Sequence, residues 1–109
     1  MTNLLARLRE ELAARLRAAA AGVRRPDGSP LLAEGEAASL EVPLEVPREA
    51  AHGDLATPVA LGLARRWRGK PRELAERLVA SLDLAGLPVE RMEVAGPGFI
   101  NFTLSPAWL

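Results

Sequence analysis

The sequence predicts a small α+β domain, an antiparallel sheet of three to four strands with helices packed on one face. Three observations carry this. Apolar residues recur at spacings of three and four over residues 3–22 and again over 59–82, the period of a helix with one buried stripe. They alternate with polar residues in SLEVPLEV, VERMEV and FINFTL, the period of a strand with one buried face. The order of these patterns, α, β, α, α, β, β, shows no internal repeat. At 109 residues the chain suffices for one modest domain with one core, taken as 1–109.

In the first helix, residues 3–22, Leu5, Leu8, Leu12, Leu16 and Ala19 form the stripe, and Val23 extends it. Thr2 or Asn3 caps its start and Gly22 ends it. At roughly 30 Å it crosses the whole domain. Residues 24–38, RRPDGSPLLAEGEAA, are rich in breakers and read as a loop with a turn at PDGS. SLEVPLEV follows as a strand with Leu40, Val42, Leu44 and Val46 on one side; Pro43 cannot donate to a ladder, so the strand belongs at an edge. PREAAHGD is a connection. Asp54 or Thr57 caps the next helix, whose first turn takes Pro58 and whose buried face is Val59, Ala60, Leu63, Ala64 and Trp67. After Gly69, Pro71 opens a third helix lined by Leu74, Ala75, Leu78, Val79 and Leu82, with Glu73 and Arg77 paired outside. VERMEV turns Met92 and Val94 inward, and Gly96, Pro97 and Gly98 turn the chain into the last strand, Phe99–Leu104.

Composition narrows the chemistry. Cysteine is absent, which excludes disulfides and thiolate metal sites and fits a cytosolic setting. No apolar stretch approaches the roughly 18–20 residues of a membrane span, and the charged amphipathic N-terminus is no signal peptide. Formal net charge is zero, so the chain is not a generic polyanion binder. The charge is unevenly spread: residues 37–63 carry one Arg against four acids, whereas ARRWRGKPR at 64–72 holds Arg65, Arg66, Arg68, Lys70 and Arg72. That run reads equally as a solvated helix face complementing the C-terminal dipole or as a set of phosphate contacts. His52, the single histidine, stands near Asp54, and a general-base pair can be drawn from them. No nucleophile or paired carboxylate supports it, and one His among scattered acids makes no metal site. The GPG turn is a poor phosphate cradle, since a strand follows it where a helix N-terminus is needed.

The sharpest candidate is the last strand. Ile100, Phe102 and Leu104 share one face and belong in the core, which leaves Phe99, Asn101 and Thr103 on the other. A ring and a carboxamide two residues apart, both projecting into solvent, supply a stacking surface together with a donor and an acceptor. An unstacked RNA base calls for that pair. The bland alternative is a Phe99 half-covered by a neighbouring loop.

HGDLATPVALGLAR at 52–65, the Pro71-led helix with Ala75, and EVAGPGFINFTL at 93–104 together resemble the N-terminal additional domain of arginyl-tRNA synthetases. The resemblance covers about residues 1–105 and is strongest over 52–104. Residues 24–38 fit it poorly, and Pro58 stands where the family often has Asn. It implies a domain that grips the elbow of tRNA and contacts a D-loop base through Phe99 and Asn101, with Gly96, Pro97 and Gly98 positioning the pair. It also turns Arg65, Arg66, Arg68 and Lys70 toward backbone phosphates. The implied partners are tRNA-Arg and the catalytic domain of the same enzyme, with neither membrane nor DNA among them; the implied location is the cytoplasm. ATP and arginine would be used by that class I catalytic domain, whose HIGH-like and KMSKS-like signatures are missing from these residues, so no catalytic residue or cofactor is assigned to this chain. The ending SPAWL is read as a helix start, with 106–109 opening a linker to the catalytic domain. Two rival readings remain: a protein-interaction module using the exposed sheet face, and a small hydrolase built on His52 and Asp54.

Overall fold

Asn3 closes the start of the first helix, α1 (Leu4–Gly22), its carboxamide oxygen accepting from Leu5 N at 2.9 Å and Ala6 N at 3.3 Å. The structure, a computed structural model, describes residues 3–106. Thr2, the alternative cap, lies outside the described residues, as do residues 107–109 of the expected linker. Leu8, Leu12, Leu16, Ala19 and Ala20 are the buried stripe of α1, and Val23 continues it just past the helix.

The PDGS turn forms as expected. Arg25 N donates to Ser29 O at 2.7 Å, and the Asp27 carboxylate accepts from both the backbone and the hydroxyl of Ser29. Beyond it, SLEVPLEV does not build the expected strand. One antiparallel bridge ties it to the sheet, Glu45 N donating to Ala56 O at 2.9 Å and Ala56 N to Glu45 O at 2.8 Å. Pro43 and Pro47 stand two residues to either side and have no N–H to extend a ladder. Leu44 is nevertheless buried, with Leu40 and Val42 half-buried against the core, while Val46 is exposed.

A strand unforeseen in the sequence takes its place. β1 (Leu55–Thr57) is three residues long and lies between the two expected helix caps. Thr57 ends the strand one residue before the cap position of the next helix, which Pro58 holds, and its hydroxyl accepts from Val59 N at 3.2 Å. Asp54 does not cap a helix; its carboxylate accepts from Leu104 N at 2.8 Å, and its own N–H donates to Phe102 O. The expected second helix divides into α2 (Val59–Gly62) and α3 (Ala64–Trp67) at Leu63, where φ −103° and ψ 8° leave the helical range. α4 (Pro71–Ser81) begins at its proline as predicted. Glu73 and Arg77 are both exposed and form no ion pair among the described residues.

β2 (Val89–Ala95) and β3 (Phe99–Leu104) complete an antiparallel sheet in the order β1-β3-β2. The helices cover one face of it. Ile100 and Phe102 of the central strand are fully buried there with Leu55, Trp67, Leu74 and Leu78, and α1 contributes Leu12 and Leu16 to the same core. This is the α+β architecture the periodicities predict.

Candidate functional site

The other face of the sheet carries the site. Residues directly opposite in an antiparallel pair point to the same side. Asn101 stands opposite Ala56 of β1 and Glu93 of β2, and Ala56 stands opposite Glu45. Glu45, Ala56, Asn101 and Glu93 therefore form one row across the sheet. Phe99, two residues from Asn101, lies on the same face opposite Ala95. Alanine on both neighbouring strands leaves open space beside the ring and the carboxamide.

That space is a cavity of about 530 Å³. Besides Ala56, Ala95, Phe99 and Asn101, its lining comes from two segments, the β2–β3 turn at Gly96 and Pro97 and the stretch Glu45–Arg48 with His52. Phe99 is 37% exposed and Val46 60%, two large apolar side chains left open to solvent at one site. Asn101 is only 7% exposed. The expectation that residues 99 and 101 both project into solvent thus needs correcting: the strand faces are as predicted, but the carboxamide is recessed. The bridge between Glu45 and Ala56 brings the following segment over the sheet, and the central position of β3 places Asn101 beneath it. The carboxamide makes no hydrogen bond with the described residues. The buried side-chain polar atoms without a partner among those residues are Arg9 Nε and Trp67 Nε1, so the Asn101 amide stays reachable from the cavity. Chemically the cavity offers a flat apolar surface, aliphatic side walls and one unengaged donor–acceptor group.

His52 sits exposed in the cavity lining, at the end of a short 3₁₀ turn, Ala50–His52. No hydrogen bond links it to Asp54, whose carboxylate holds the end of β3 instead.

The basic run separates into individual roles. Arg66 donates from both terminal nitrogens to the Glu36 carboxylate, each at 2.6 Å, a bidentate pair that fastens the 24–39 segment to α3. The Arg66 hydrogen bonds, with one from Ala33 N, pull the Glu36 carboxyl down from an ordinary 4.5 to about 2. Arg66, expected among the phosphate contacts, is thus engaged within the protein. Arg65, Arg68 and Lys70 are exposed, and their side chains make no hydrogen bonds with the described residues. Arg68 closes α3 in the left-handed region at φ 61°. Arg72, outside the expected site, donates to Gly96 O at 2.8 Å and Val94 O at 3.3 Å. The sequence carries no signal for that contact, nor for the cavity roles of Glu45, Val46 and Arg48, because each depends on how distant segments dock.

Fold and cavity together define a small α+β domain with an aromatic–amide pocket on the open face of its sheet. The profile of the family described as arginyl tRNA synthetase N terminal domain matches residues 6–104, and the chain belongs to that family. Over 112 aligned residues it is 43% identical to the arginine–tRNA ligase of Desulforamulus reducens, covering 100% of this chain and 18% of that protein. With the arginine–tRNA ligase of Desulforudis audaxviator it shares 47% identity over 109 residues, again 100% of this chain and 19% of the relative. A shorter match to that of Heliobacterium modesticaldum is 59% identical over 66 residues, 61% of this chain and 12% of the relative. The chain thus spans less than a fifth of the length of these relatives.

Proposed function

We propose that the chain is the tRNA-docking module of an arginine–tRNA ligase, and that its cavity receives one unstacked base from the D-loop of tRNA-Arg. Phe99 stacks on the base and Asn101 hydrogen-bonds its edge. Arg65, Arg68 and Lys70 hold neighbouring phosphates, which position the RNA without reading its sequence. ATP and arginine are substrates of a class I catalytic domain beyond these 109 residues, and the module presents the tRNA to it in the cytoplasm. The observation that carries this reading is the pairing of an open ring with a recessed, unengaged carboxamide in one cavity. The carboxamide engages neither its donor nor its acceptor with the described residues and is reachable from the cavity, so a base edge can use both.

The test is a titration with tRNA-Arg. Asn101→Ala should bind up to about tenfold more weakly than wild type, the scale of the hydrogen bonds to one base edge. Equal affinities would remove Asn101 from the site. A protein partner on the same sheet face is the second reading, favoured by the exposure of Val46 and by the carboxylates of Glu45 and Glu93 in the central row. Phosphate contacts make affinity fall steeply with salt. A complex whose affinity ignores salt would favour the protein partner.

A further inference from the structure

We propose that Arg72 is a positioning residue for the base pocket, a clamp on the turn that aims Phe99; the inference rests on the tRNA-docking reading. The β2–β3 ladder pairs up to Ala95 and Phe99, and inside the turn Gly98 N reaches Ala95 O only at a long 3.4 Å. The turn's other supports come from the first two residues of α4. Arg72 Nη1 donates to Gly96 O at 2.8 Å and Nη2 to Val94 O at 3.3 Å, so one rigid fork spans two carbonyls two residues apart. Pro71 packs against Gly98 so closely that a Cβ added to that glycine would lie 3.0 Å from Pro71 Cβ and 3.2 Å from its carbonyl carbon. Gly98 has φ +150°, a conformation that side chains rarely adopt. Phe99 is the next residue, so the direction of its ring follows from how firmly Gly96–Gly98 is held.

Sequence alone groups Arg72 with the basic run. The geometry gives it a different task, since two of its donors are turned to backbone carbonyls. A lysine supplies a single point of charge at the same place and cannot bridge both.

Salt dependence separates a clamp from a phosphate contact, because the slope of affinity against salt counts neutralised phosphates. Wild type, Arg72→Ala, Arg72→Lys, Phe99→Ala and the Phe99→Ala/Arg72→Ala double variant would be titrated with a tRNA-Arg transcript over a salt series. Arg72→Ala should weaken binding about three- to tenfold with an unchanged slope. Arg72→Lys should recover little, and adding Arg72→Ala to Phe99→Ala should cost almost nothing more. Amide exchange at Gly98, measured without RNA, should quicken about tenfold in Arg72→Ala and in Arg72→Gln, the second variant guarding against misfolding in the first. Unchanged affinity, a slope reduced by about one phosphate, additive losses with Phe99→Ala, or unchanged Gly98 exchange would each overturn the clamp. Failure of wild type to bind tRNA would instead overturn the docking reading, and the exchange measurement would still decide whether Arg72 holds the turn.

Discussion

Asn101 and Ile100 are neighbours with opposite duties. Ile100 is fully buried under the helices, and truncating it leaves a hole the core cannot close. Ile100→Ala should lower stability by about 2–5 kcal/mol, visible as a large drop in Tm. A melting curve that does not move would mean the strand faces are reversed. Asn101 forms no hydrogen bond with the described residues, so Asn101→Ala breaks none and should shift Tm by only a few degrees while weakening tRNA binding. The same contrast explains what was legible in the sequence. Alternation along β3 separates Ile100, Phe102 and Leu104 from Phe99, Asn101 and Thr103 without further information. Alternation cannot tell how deep a side chain on the outer face sits. That depends on the surrounding segments, here the stretch Glu45–Arg48 that lines the same cavity.

Elements with strong local signals appeared where the sequence placed them. Asn3 and the heptad-like leucines mark α1, Pro71 marks α4, and the glycines at 96 and 98 mark the hairpin. β1 escaped because three residues are too few for a periodicity, and because Thr57 has the chemistry of a cap as well as the β-branched shape of a strand residue. SLEVPLEV misled in the opposite sense: its alternation is sound, but a ladder needs N–H groups that Pro43 and Pro47 lack. Residues 24–39 are anchored by the buried Leu31 and Leu32 and tied further by Arg66 with Glu36 and by Arg25 donating to Arg66 O. The tie between Arg66 and Glu36 should be sensitive to acid. Glu36 titrates at about 2 in the folded chain against an ordinary 4.5, so the unfolded chain takes up its proton first as pH falls. The pair's contribution is complete above pH 4.5 and is lost as pH falls toward 2. Wild type should therefore melt above Glu36→Gln near neutrality, and the gap should close through that window. A gap that stays constant across it would show the ion pair adds nothing.

At the scale of the whole molecule, charge is separated along the chain rather than accumulated. Net charge is zero, and the segment that supplies one cavity wall is acidic, with Glu41, Glu45 and Glu49 near Arg48. Exposed cations, Arg65, Arg68 and Lys70, follow one another along α3 and just past its end. Under the docking reading Arg65, Arg68 and Lys70 are the cations of the basic run that meet phosphates, so the salt slope should count up to about three phosphates. Arg65→Ala with Arg68→Ala should flatten it by up to about two phosphates. A slope unaltered by both changes would return these arginines to the role of a solvated helix face.

The central claim is that an extruded D-loop base enters the cavity between Phe99 and the segment at Val46. The most direct test is to titrate wild type and Asn101→Ala with tRNA-Arg transcripts in which each unpaired D-loop nucleotide in turn is made abasic. One abasic site should cost wild type at least about tenfold in affinity and cost Asn101→Ala less, since the variant has only the stacking on Phe99 left to lose. Equal binding of the intact and every abasic transcript by wild type would contradict the account.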